Sequence, residues 1–261
     1  MTEPAHVWYQ SFVHPTEQAP YIERLQSFLN KAAAPGTRFE VHGLDPPDRH
    51  FHPLTEFRCA AQVIRNAIEA ERAGYDAFVI GHFQEPGLLE MRGILEIPVI
   101  GLGEANLLAA LAMGGKLGLV TIDPVFITWH ERQVMAHGLD QRVVGVSAIS
   151  ADLPGFMRAF SDDASYAKVR DEFTAQVCPL VAQGAEVILP AGGLPMLLFA
   201  RECPFLIDGA LVLNGIAVVA KAAEMAIALR RLTGAVVSRR GTYAKAPAAC
   251  VEEYLRTIQP G

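Results

Sequence analysis

Short apolar runs alternate along the chain with longer stretches whose apolar positions recur every three or four residues. The runs at 7–13, 37–43, 76–81, 97–102, 116–122, 142–147, 185–190 and 204–208 predict strands. The stretches at about 18–33, 57–73, 102–113, 124–138, 164–184 and 210–232 predict helices. In "FRCAAQVIRNAIEAERAG" the period is helical and Gly74 supplies the stop. Runs such as "DAFVIG" have no polar face, and in a βαβα order that calls for parallel sheets covered by helices on both sides. The expected class is α/β.

The second half of the chain repeats a theme of the first. "AGYDAFVIGHFQEPGLL" and "AQGAEVILPAGGLPMLL" both run through a helix end, a glycine, an acidic residue, an apolar strand and a Gly/Pro loop ending in Leu-Leu. This predicts two pseudo-symmetric, Rossmann- or flavodoxin-like lobes with the loops meeting across a cleft. The expected division is 1–101 with 205–261 for one lobe and 102–204 for the other. The last twenty or so residues predict a loop and a short terminal helix without chemistry of their own.

Composition narrows the function classes. With 261 residues, 51% hydrophobic and 19% charged, the chain can bury one large core or two modest ones and is not disordered. The formal charge of -6, with only the short pairs Arg230-Arg231 and Arg239-Arg240, argues against a nucleic-acid surface. No apolar run is long and uncharged enough to predict a membrane span, and the N-terminus does not read as a secretory signal. Cys59, Cys178, Cys203 and Cys250 lie far apart without CxxC spacing, which predicts reduced thiols in a cytoplasmic protein.

In open parallel sheets, ligands bind beyond the carboxyl ends of the strands. Those tips carry Gln10, Ser11 and His14, then His42 with His50 and His52 downstream, then His82 and Glu85. Later tips carry Thr121 and the group Ala191, Gly192, Gly193. Five of the eight histidines thus fall on the rim of the first lobe, more gathered than random placement would leave them. His82 follows the apolar run Phe78-Val79-Ile80 on a rigid element, as general acid-base work requires. The bland alternative is a histidine that finishes a turn by hydrogen-bonding a carbonyl. In "PAGGLP" the glycines expose backbone N–H groups at a helix start, a place for a carboxylate or oxyanion. A further possibility is a catalytic metal held by His14, His50 or His52, and His82, with Glu85 or Glu56 assisting, although no HxxxH or HExxH spacing is present.

The motifs "APGTRFEV", "DAFVIGHFQEPGL", "IPVIGLGEA", "GAEVILPAGG" and "PFLIDG", in that order from about residue 7 to 232, resemble the aspartate/glutamate/hydantoin racemase superfamily, its hydantoin and allantoin branch most closely. The resemblance implies two α/β lobes with the active site in the cleft between them, homo-oligomers and no organic cofactor. It also implies one catalytic cysteine on each of two loops. Here "HFQEPG" puts His82 at the first cysteine position and "PAGG" puts Ala191 at the second.

Loss of both thiols shifts the expected chemistry. Alanine cannot exchange a proton, so one-sided work by His82 is expected: a hydrolase or lyase acting on a small anionic or cyclic-amide, hydantoin-like substrate. Glu85 would assist His82. Gln10, Ser11, Phe83, Thr121, Ala191, Gly192 and Gly193 would line the substrate. A divalent metal, zinc in particular, on His14, His52 and His82 would suit hydrolysis. The alternatives are a racemase of hydantoin or amino-acid derivatives with a non-cysteine second base, and a non-catalytic metabolite-binding protein. The expected partners are the small-molecule substrate and further copies of the chain in a homo-oligomer, with no nucleic acid and no membrane.

Overall fold

The computed structural model describes residues 3–150 and 153–258. The chain divides into two compact units, 1–102 with 219–261, and 103–218.

The first unit is built on a four-stranded sheet of β1 (Ala5–Gln10), β2 (Thr37–His42), β3 (Ala77–Ile80) and β4 (Val99–Gly101), in the order β2-β1-β3-β4 with every pair parallel. Its early helices are α1 (Ala19–Ala32), α2 (Pro53–Arg72) and α3 (Leu88–Ile94). All four residues of the inner strand β3 are buried, as its wholly apolar sequence requires. Against Phe78 and Ile80 pack Val63, Ala67 and Met91 from α2 and α3. α1 buries Tyr21, Leu25 and Leu29.

In the second unit the sheet order is β6-β5-β7-β9-β8, from β5 (Leu117–Thr121), β6 (Val143–Ala148), β7 (Val187–Ala191), β8 (Leu206–Ile207) and β9 (Ala210–Val212). Only the edge pair β8/β9 is antiparallel. The helices are α4 (Leu102–Leu111), which begins at the boundary between the units, then α5 (Ile127–Ala136), α6 (Leu153–Arg158), α7 (Asp163–Ala182) and α8 (Gly193–Phe199). Phe173, Phe199 and Phe205 pack together in the core under α7. α9 (Gly215–Thr233) carries the chain back into the first unit at Val219, and α10 (Ala248–Thr257) ends it, with Val251, Tyr254 and Leu255 against the first core.

The repeated theme has a physical counterpart. Each sheet places its first strand between the second and third, and each third strand is preceded by a left-handed glycine (Gly74, φ 85°; Gly184, φ 98°) and an acid. Asp76 accepts from His6 N at 2.8 Å and Glu186 from Gly115 N at 2.8 Å, so the same carboxylate ties the start of the first strand in both units.

Some expectations give way. Residues 210–212, expected within a helix, form β9, and with β8 they complete the second sheet, so the return to the first unit comes at 219 rather than 205. The short helices α3, α6 and α8 and the 3-10 turn Pro124–Phe126 interrupt stretches read as loop or as one longer helix. No helix among the described residues is long and apolar enough to cross a membrane.

Candidate active site

The carboxyl ends of β1, β2 and β3 bring the first unit's polar residues together. His82 stands two residues past β3. Its Nε2 faces Asp48 Oδ2 at 3.6 Å, an ion-pair distance, with both side chains largely buried (14% and 6% exposed). The Phe12 ring tilts against the imidazole at a centroid distance of 4.5 Å. Nδ1 of His82 is shielded from water and has no hydrogen-bond partner among the described residues.

Asp48 is fixed from several sides. Its N–H donates to Phe12 O at 3.1 Å. Arg58 on α2 donates to the carbonyls of Pro46 and Pro47, and Gln62 to that of Asp45, which pins the loop one helical turn at a time. The loop ends in Phe51, a non-glycine residue at φ 44°, before His52 caps α2 by accepting from Leu54 N at 3.1 Å. Burial alone would raise the Asp48 pKa, but the facing imidazole and the amides of His50 and Phe51 outweigh it and hold the carboxyl below its usual range. Glu56 behaves the other way: burial first, then the Asp48 charge, raise its pKa against the opposing pull of His82. Cys59 beside them is pushed up to about 11, chiefly by burial, so it carries no thiolate at neutral pH.

Glu56 gives a stability test. A folded-state pKa above the unfolded value favours folding below the ordinary carboxylate range, and that contribution is lost as pH rises through the folded value. Glu56→Gln is thus expected to melt higher than the wild type at pH 7 and at nearly the same temperature at pH 4. Scanning calorimetry at the two pH values checks it; equal melting at pH 7 contradicts it.

The other residues singled out by sequence have separate places. His14 Nδ1 accepts from Thr16 N and Glu17 N at 3.3 and 3.2 Å, its Nε2 lies 3.6 Å from Asp45, and His52 is the cap of α2. His42 stacks on Trp8 at 3.4 Å, and burial lowers its pKa. His50 is exposed. Among the described residues no group of three or more His, Cys, Asp or Glu is placed to hold a metal ion. Glu85, at φ 58° and 7% exposed, turns its carboxylate onto Gly101, where an added Cβ would lie 1.9 Å from Oε1. Phe83 is buried beneath the same loop.

Gln10 braces the strand tips. Its amide nitrogen donates to the carbonyls of Ser11, His42 and Gly43, and its oxygen accepts from Trp8 Nε1 and Asn66 Nδ2. Gln10→Leu leaves these buried groups unpaired and is expected to cost about 2–3 kcal/mol in denaturant unfolding. A loss within 0.5 kcal/mol would remove the bracing role. Ser11 is tied in the same way, donating its N–H to His42 O at 2.8 Å.

In the second unit, Thr121 and Ala191 end adjacent parallel strands as register partners, and both are buried. Thr121 Oγ1 lies 3.3 Å from Nε2 of His130 on α5, which is fully buried. Gly192 donates its N–H to Pro190 O at 2.9 Å, so that amide is already used and is not open to a substrate anion. Gly193 begins α8. Asp48 and His130 are the two residues that sequence reading passed over. The "DPPDRH" loop was a signal for the first, since an acid follows its rigid Pro-Pro pair; nothing in the sequence marked the second.

Comparison with known proteins places these features in context. A model of the Asp/Glu/hydantoin racemase family matches residues 18–223. The chain is 29% identical over 103 residues to a hydantoin racemase of Pseudomonas sp. (strain NS671), which covers 40% of this chain and 41% of that protein. It is 33% identical over 86 residues to a hydantoin racemase of Rhizobium meliloti, covering 33% and 35%. The matched stretches therefore span well under half of either relative. Among solved structures, an allantoin racemase from Klebsiella pneumoniae superposes with a TM-score of 0.77 over 93% of this chain and 94% of that one, at 21% identity. That likeness is one of fold.

Proposed function

The chain belongs to the Asp/Glu/hydantoin racemase family, and on that premise we propose that it is an isomerase that moves a proton at a carbon stereocentre of a small hydantoin-like or amino-acid-derived substrate. The carrying observation is the His82–Asp48 pair: an imidazole at a strand tip with one nitrogen facing a buried carboxylate and the other without a hydrogen-bond partner among the described residues. A hydrogen on a carbon next to a carbonyl is weakly acidic, and its removal leaves an enolate. His82 Nδ1 takes that proton; the C–H bond breaks and the electron pair passes into the carbonyl. The imidazolium that forms is held by Asp48, whose lowered pKa keeps it charged through the step. Its return from His82 to the same face restores the original centre, and delivery of a proton to the opposite face by another donor inverts it. Asp48 acts through His82, so Asp48→Asn is a positioning change.

The isomerase alternative replaces the expected hydrolase or lyase because the family and the matched relatives are described as racemases. Their names, hydantoin racemase and allantoin racemase, support five-membered cyclic ureides as the substrates to try first. The test is polarimetry with mass spectrometry on single-enantiomer 5-substituted hydantoins and allantoin. Decay of optical rotation with the ring intact is expected. A ring-opened product, heavier by one water, would return the protein to hydrolysis.

A further inference from the structure

The chain beyond residue 223, where the match to the family model ends, touches both elements that hold the His82–Asp48 pair. α3 is the first of them. The turn that joins it to His82 is closed by Glu85 N on His82 O at 3.2 Å and by Leu88 N on Glu85 O at 3.1 Å. With seven residues and no side-chain cap at its N-terminus, α3 is too short to be stable without help from its surroundings. Residues 239–246 take up the carbonyls at its C-terminal end one after another. Arg239 donates to Arg92 O at 2.6 Å and to Leu95 O, Ala246 N to Gly93 O at 3.0 Å, and Lys245 Nζ to Ile94 O at 2.7 Å. Arg239 and Lys245 also pair with Glu96, and the Tyr243 ring lies beneath the Arg92 guanidinium, which itself donates to Val99 O on β4. Cations are the groups that a helix C-terminus favours.

α2 is the second element, since its Arg58 and Gln62 pin the loop that carries Asp48. α10 lies against the adjoining turn of that helix. Tyr254 donates its hydroxyl to Ala61 O, and Arg65 donates back to Leu255 O and Ile258 O. Val251, Tyr254 and Leu255 pack on the core that α2 helps to form. A single stretch of chain, all within the first unit, thus grips both holders.

We infer that residues 239–258 form a brace that fixes the spacing of His82 and Asp48, with Arg239, Lys245 and Tyr254 as positioning residues for the isomerase reading, on which the activity readout rests. These three act through α3 and α2 and not on the substrate. A slip of α3 carries the His82 turn with it, and a slip of α2 carries the Asp48 loop. The pair stands at 3.6 Å, and a misplacement of about 1 Å far from the chemistry is enough to cost roughly a hundredfold in rate.

Hydrogen–deuterium exchange of the full chain, read by mass spectrometry, tests the brace without any substrate. R239A/K245A is expected to speed exchange about fivefold or more in residues 82–87 as well as in 88–95, and Y254F to do so in 45–51. R170A, which breaks the Arg170–Glu202 pair of the second unit, is expected to leave all three stretches at the wild-type rate. With a 5-substituted hydantoin, R239A/K245A is expected to lose about 10–100-fold in kcat while KM changes less than threefold. Faster exchange confined to 88–95, or an even rise across the first unit, marks a plain helix cap and overturns the inference. Unchanged kcat with faster exchange at 82–87 overturns it too. A wild type that turns over no hydantoin or allantoin removes the isomerase reading alone, and the exchange rates then decide on the brace.

Discussion

Replacing His82 by alanine is expected to lower isomerase turnover by about 10²–10⁴-fold, the range a positioned general acid-base contributes. The expectation rests on geometry. Nε2 faces the Asp48 carboxylate and Nδ1 has no hydrogen-bond partner among the described residues, so on the proposed reading the imidazole is oriented for one proton transfer. Alanine removes both nitrogens and leaves Asp48 charged without its partner. Because the pair is buried, removing the imidazole leaves the Asp48 charge uncompensated and carries a folding cost of its own. Initial rates of rotation loss, with a thermal melt as control, separate the two effects. Turnover within tenfold of wild type, in a protein still folded at the assay temperature, would remove His82 from the mechanism.

The largest effect on stability is expected one residue earlier. A Cβ on Gly81 would lie 2.3 Å from Cε1 of Tyr9 and 2.7 Å from the carbonyl oxygen of Gln10. Tyr9 is fully buried, and the Gln10 carbonyl already accepts from Gly81 N at 2.8 Å. Gly81→Ala must therefore spread β1 from β3 or displace the tyrosine. Overpacking of this kind costs about 3 kcal/mol, which for a chain of this size corresponds to a fall of roughly 6–12 °C in melting temperature. Because His82 follows directly, activity should fall with it. A melting temperature within 2 °C of wild type, read by calorimetry, would show that the close approach is relieved at little cost.

Much of the architecture was legible in the pattern of apolar residues. β3 and β7 are continuous apolar runs bounded by turn signals, and burial on both faces follows from that composition. β9 was not legible, since "ALVLNGIAVVAKAAE" is apolar from strand into helix and no period marks the change. Seven-residue helices such as α3 and α8 hold too few turns to show a period, and Gly87 and Pro195 beside or within them read as loop. The candidate site shows the same division. His82 was visible because an ionisable residue at the end of an apolar run is conspicuous. Its partner Asp48 lies 34 positions away and is brought near by the Arg58 and Gln62 bonds to the 45–47 carbonyls, which no spacing rule encodes. Gln10 carried no sign that its amide would be consumed by five protein partners, and Glu85 none that its carboxylate would lie on Gly101.

Proton NMR of one enantiomer of a 5-substituted hydantoin in D2O, with wild type and with His82→Ala, tests the proton-transfer account most directly. The wild type should erase the C5 hydrogen signal in step with the fall in optical rotation, the ring staying intact, while the variant proceeds at the buffer rate. Equal exchange by the two proteins, or a ring-opened product from the wild type, would contradict it.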